Sequence, residues 1–273
     1  MKAPEAWRVF SLSTSQHSSP PGLASLLKRY QLVLPSFVRI AACLTPISDS
    51  PRCLFTTFPH SIELDLPIHI SGPFILTPDK ASIGLDDPRA PEHSYNHWLL
   101  TSVVPTVYLR LLEDRASFAD NTVYWPGSSK VAPEDASTDI STLVGDAVYQ
   151  MALAPTSTRA IFRSKYYPDS VSLQPARFIT RLPRAVLTAL EAIKPREVVQ
   201  LSPSITRRLE GLNSPLFTPV IPKYMYTQLL GGATQTLART LDLEQIQELI
   251  DFLTRDADAF SCLSGLSLLP LED

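Results

Sequence analysis

The chain has 273 residues, 25 of them proline and only 9 glycine, with 44% apolar and 19% charged residues, a formal net charge of −3 and a mean hydropathy of +0.04. That balance can bury a core, and it excludes collagen, coiled coil, low-complexity linker and disordered tail. It also argues against nucleic acid as a partner, because the densest basic groups are the pairs Lys28-Arg29 and Arg207-Arg208.

Residues 1–22 read as a Ser/Pro-rich, poorly ordered lead-in without the apolar core of a secretory signal. From there to residue 273 the pattern predicts an α+β region, with a division into two subdomains expected near 120–138. Leu23, Leu26, Leu27 and Tyr30 are spaced for a short helix over 23–31, and 36–44 is expected to continue as helix after Pro35. The following stretch is broken by Pro59, Pro67 and Ser71-Gly72-Pro73 into short strands. Within it, 66–70 and 74–77 are predicted to form a hairpin turned by Gly72.

A long helix is predicted from Ser94 to Ala116, kinked or split at Pro105, with Trp98, Leu99, Val103, Leu109 and Leu112 on its apolar face. Another is predicted over 138–151, capped by Ser137 or Asp139. Further on, 183–193 reads as helix with Pro183 in its first turn, and 197–201 as a strand. Helix is expected again from Lys223 to Leu230, closed by Gly231-Gly232, and over 242–254, where Asp242 and Gln245 make a capping-box pattern. The last segment, LSGLSLLPLED, reads as a final strand. No internal repeat is visible at periods of about 20 to 50 residues.

Chemistry-bearing residues are few. His93 and His97 stand four apart near Asp86, Asp87 and Glu92, but a third ligand at fixed spacing is missing, so a metal is not expected. His69 alternates with Ile68 and Ile70, which turns it away from them and suits a hydrogen-bonded structural role better than a general base. Cys43, Cys53 and Cys262 are odd in number and form no CxxC pair, which points to core thiols in a reducing compartment, the cytoplasm or the nucleus. The GSSK at 127–130 follows no strand, and neither GxSxG, GxxxxGK[ST] nor GxGxxG occurs. Neither catalytic residues nor a cofactor are expected. No apolar run reaches the roughly 18 residues that a membrane-spanning helix needs.

The order of the segments carries more. DLPIHISGPFILTPDKASI at 65–83, followed by YNHWLLTSVVPTVYLRLL at 95–112, resembles the internal repeats of sacsin and its fungal and plant sacsin-like relatives. There, a segment of the form LPVHINGxFAL and then WNxxLLxxVVxPxYxxLL follows a GHKL-type nucleotide-binding domain of the heat-shock-chaperone kind. Tyr124-Trp125-Pro126, the IFRS at 161–164, the strand-like segment from Glu197 to Pro203 and the terminal GLSLLPL at 265–271 continue the similarity in the same order. The chain departs from the pattern at Ser71, where the family has Asn, at Tyr95, where it has Trp, and at 78–81, where a turn ending in two arginines is reduced to Lys80. The similarity runs colinearly from about residue 54 to 273, so only about 50 residues precede it, fewer than the ATPase domain is expected to need.

The resemblance implies a small antiparallel or mixed sheet packed by several helices. It also implies a non-enzymatic, chaperone-like module whose partners are proteins. The alternative is a fragment of a larger ATP-binding sacsin-like chaperone; a hydrolytic enzyme comes third, without a motif to support it.

Overall fold

The computed structural model describes residues 6–16, 22–31, 36–44, 52–56, 61–79, 82–118, 121–127, 140–179, 182–212, 220–229 and 241–255. The fold is α+β, in two compact units: residues 1–115 with 119–161, and residues 162–273 with 116–118. The main division thus falls at 161/162, downstream of the expected 120–138.

The first unit is built on a five-stranded mixed sheet of β1 (Trp7–Ser13), β2 (Phe37–Cys43), β3 (Arg52–Phe55), β4 (Ser61–Leu64) and β5 (Ile68–Ser71), in the order β1-β2-β5-β3-β4. Only the β3–β5 pair is parallel. Two expectations fail here. The segment read as a loose lead-in contains β1, which pairs with β2 over seven residues, from Trp7↔Cys43 to Ser13↔Phe37. The segment read as a second helix is β2 itself. Val38, Ile40 and Ala42 are fully buried while Phe37 and Arg39 are exposed, a period of two that a helix cannot satisfy.

The predicted hairpin is also replaced. β5 pairs with β2 on one side and β3 on the other, so 74–77 has no free edge of β5 to join. Instead the chain beyond Pro73 turns back on itself through Thr77 N–H to Ser82 O (2.9 Å) and Gly84 N–H to Ile75 O (3.0 Å). Gly72 is needed for space and not for a left-handed turn, since a Cβ there would lie 2.9 Å from the Phe74 ring.

Asn96 holds this loop. Its Oδ1 accepts from Ile75 N–H (2.9 Å), while its Nδ2 donates to Ile75 O (2.8 Å) and Gly84 O (3.2 Å), so one side chain pairs with the loop backbone as a neighbouring strand would. It can do so because it sits, fully buried, on a helix that runs α2 (Pro91–Trp98), a π turn (Leu99–Val103) and α3 (Val104–Arg115). The helix begins earlier than predicted because Pro91 occupies its first turn. The expected break at Pro105 takes the form of that π turn: proline removes an N–H and crowds the carbonyl of Thr101, and a widened turn relieves both.

α3 packs on β1 and β2 and against α4 (Ile140–Ala152), whose expected caps, Ser137 and Asp139, lie outside the described residues. Between α3 and α4, the Tyr124-Trp125-Pro126 segment is fixed by three buried phenols. Tyr108 donates to Tyr124 O (2.7 Å), Tyr124 to Cys43 O (3.2 Å) and Tyr149 to Pro126 O (2.8 Å). Burial raises the Tyr108 hydroxyl well above its ordinary range, which keeps it a donor. Trp125, 1% exposed, lies against Tyr149 with ring centroids 5.5 Å apart. Trp125→Ala is expected to cost about 3–5 kcal/mol of stability in urea unfolding, through lost burial and the cavity left behind.

The second unit has a small hairpin, β6 (Phe162–Arg163) with β7 (Ser170–Val171), and a parallel pair, β8 (Arg177–Phe178) with β9 (Val198–Val199). Its core is formed by α5 (Arg184–Ile193), α7 (Pro222–Gln228) and α8 (Leu243–Leu253), around Val186, Leu190, Met225 and Leu249. The predicted capping box closes α8: Gln245 N–H donates to Asp242 Oδ1 (2.8 Å), and Gln245 Oε1 accepts from Asp242 N–H (3.1 Å). Glu248 of α8 accepts from Ala185 N–H (2.9 Å), satisfying an open donor of α5.

Pro203, read as a strand exit, instead opens α6 (Pro203–Gly211), with Ser202 as N-cap and Ile205 and Leu209 buried on one face. Gly231-Gly232 and the terminal GLSLLPL lie outside the described residues.

Candidate functional site

The five-stranded sheet has one face covered and one that carries large apolar side chains into solvent. On the covered face lie Leu12, Val38, Ile40, Leu54, Ile68 and Ile70, all buried. Alternation puts Trp7, Val9, Phe37, Arg39, His69 and Phe55 on the other. There Trp7 is 38% exposed, Val9 58%, Phe37 48% and Phe55 36%. A contiguous exposed patch of this kind marks an interaction surface more often than a lone exposed leucine does.

At its centre is a groove of about 320 Å³, lined by Trp7, Val9, Arg39, Ala41, His69 and Phe55, together with Ile40 and Ser71. The His69 ring lies between two aromatic neighbours, 5.1 Å from Trp7 and 5.6 Å from Phe55, tilted by 45° and 35° respectively. These angles make a notch and not a flat platform. Guanidinium groups border it: Arg52 lies 5.8 Å from the centre of the Trp7 ring and Arg39 5.9 Å from that of Phe37.

His69 has the structural role its alternation predicted. Its Nδ1 accepts the Cys53 N–H at 3.0 Å, at the point where β3 has not yet joined the β5 ladder. Burial lowers its pKa below the ordinary 6.5, and the nearby positive charge of Arg52 lowers it further. An accepting Nδ1 must be unprotonated, which adds to the same preference and leaves Nε2 carrying the ring proton.

The sign of the linkage follows. The unfolded chain takes up the proton first, so the stabilisation by His69 is complete above pH 6.5 and is lost as pH falls through the lowered folded value. Thermal scans between about pH 7.5 and 5.5 should show Tm falling with acidification. The slope should shrink in His69→Leu and be left mainly to His97, whose pKa is also lowered by burial and by His93.

The other sequence candidates do not converge. His93 and His97 do share a face of α2, their rings stacked at 5.6 Å, yet no group of three or more metal-ligating side chains forms among the described residues. Glu92 is engaged by the Tyr30 hydroxyl (2.5 Å) and Arg29 (3.0 Å). Asp87 accepts from Arg89 N–H (2.9 Å). Cys43 and Cys53 are buried, as core thiols should be, while Cys262, Lys80 and most of the GSSK segment lie outside the described residues.

No family model, curated protein or solved structure matches the chain. The site is therefore read from its own residues. Trp7, Val9, Arg39 and Phe55 were not singled out by sequence: the two-residue spacing of Trp7 with Val9 and of Phe37 with Arg39 marks an outer row, but Arg8 on the inner row of β1 and the run Ile40-Ala41-Ala42 blur the alternation. The outer row is the unusual feature, since an antiparallel sheet facing water is ordinarily polar there.

Proposed function

We propose that this chain is a non-enzymatic, chaperone-like interaction module of the sacsin-like kind, and that it engages protein partners through the open face of its five-stranded sheet. The observation that carries the reading is the exposed set of Trp7, Val9 and Phe55 around the His69 notch, with Phe37 exposed on the same face further along β2. Aromatic side chains anchor protein contacts because they offer large apolar area at small conformational cost. The resemblance of 65–83 and 95–112 to sacsin repeats points to the same class of activity. The buried thiols Cys43 and Cys53 suit a reducing cytoplasm or nucleus. Among the described residues, no helix is long and apolar enough to cross a membrane.

The test is suppression of aggregation of a heat-denatured model client by the whole chain. The reading predicts suppression at near-stoichiometric ratios, dependent on the open face. Unchanged client aggregation at excess chain would remove it.

A further inference from the structure

The groove has a chemistry of its own, and resting on the docking reading above, it narrows what the face should bind. We infer that it is a socket for one aromatic or large aliphatic side chain of an extended, acidic segment of a partner protein, with Arg39 facing a carboxylate that flanks that side chain.

Shape sets the first half of this specificity. The tilted Trp7, His69 and Phe55 rings and the Val9 and Ala41 side chains give a concave, almost wholly apolar lining, with a volume suited to one large side chain. Charge sets the second half. Arg39 has no carboxylate partner among the described residues and rests against the Phe37 ring at the rim, and Arg52 sits over Trp7 near the groove. By register the exposed Glu63, opposite Cys53, shares this face, but it lies out on the β4 edge strand, beyond β3. The groove itself is therefore bordered by positive charge.

His69 completes the set. With Nδ1 committed to Cys53 N–H, Nε2 is left as a donor in a groove whose other lining is mostly carbon, suited to a carbonyl or carboxylate oxygen of the bound segment. Aromatic rings interleaved with arginine can also serve single-stranded nucleic acid. The inclined rings, which form no plane for successive bases, favour the peptide.

Fluorescence anisotropy of the whole chain tests this, using four labelled probes: a short peptide with one central phenylalanine among aspartates, its lysine-flanked counterpart, its alanine-centred counterpart, and a short oligothymidylate. The first should bind at least about tenfold more tightly than either other peptide and be unaffected by competing oligothymidylate. Arg39→Glu, an exposed change that gives up only the contact with the Phe37 ring, should reverse the preference between aspartate and lysine flanks. His69→Leu should weaken binding severalfold, with circular dichroism confirming its fold.

Equal binding of the three peptides, no effect of Arg39→Glu, or tighter binding of oligothymidylate would overturn the inference. If the chain still suppresses client aggregation in that event, the docking reading survives and only the acidic-socket chemistry falls. If it does not, both fall.

Discussion

Asn96→Leu should lower the stability of the chain by about 3–5 kcal/mol, seen as an earlier urea midpoint, because it orphans buried backbone and does more than delete a contact. Asn96 is fully buried and supplies three hydrogen bonds to Ile75 and Gly84. Each is worth about 1 kcal/mol net, and stranding the Ile75 amide away from water adds a desolvation cost of about 1–3 kcal/mol, while the Ile75 carbonyl keeps the Gly84 N–H. Leucine has the branched shape of asparagine and a larger volume, so no cavity is left to account for the loss. Asn96→Asp is expected to be at least as severe, since a carboxylate would face the Ile75 and Gly84 carbonyls where the amide now donates. A leucine variant with an unchanged midpoint would mean that the 75–84 loop is held by other contacts.

The importance of Asn96 shows what a chain of this kind reveals before its structure is known. Signals that act within one turn of helix were legible. The Asp242–Gln245 capping box, Pro183 before α5 and the strain imposed by Pro105 all depend on neighbours three to five residues away, and each is found close to where it was expected. Pairings across the chain were not. β5 lies between β2 and β3, so 74–77 cannot complete a local hairpin, and β1 becomes a strand only because β2 offers it a full-length edge. Phe37 to Cys43 is apolar enough to read as helix until its partners fix the period at two.

The site suffered from the same limitation. His69 was legible as a hydrogen-bonded, outward-facing histidine, but the rings around it come from Trp7 and Phe55, far away in sequence, and one of these lay in a segment read as a lead-in. The Asn of the YNHWLL motif was visible as part of the sacsin-like pattern, whereas its bonding to Ile75 and Gly84, 21 and 12 residues earlier, needed the fold.

The other large effect concerns activity and should leave the fold intact. Trp7→Ser combined with Phe55→Ser removes two partly exposed rings that flank His69 on the open face and leaves the buried face of the sheet untouched, so a shift of only a few degrees in Tm is expected. Those same rings supply most of the aromatic area of the groove, and anchors of this type carry a disproportionate share of interface energy. The central claim is that this face is where partner proteins dock. Its most direct measurement is aggregation of a heat-denatured client, followed by light scattering with the wild-type chain and with the Trp7→Ser/Phe55→Ser variant, both confirmed folded. Suppression by the wild type that is abolished in the variant is the predicted result; no suppression by either, or equal suppression by both, would contradict it.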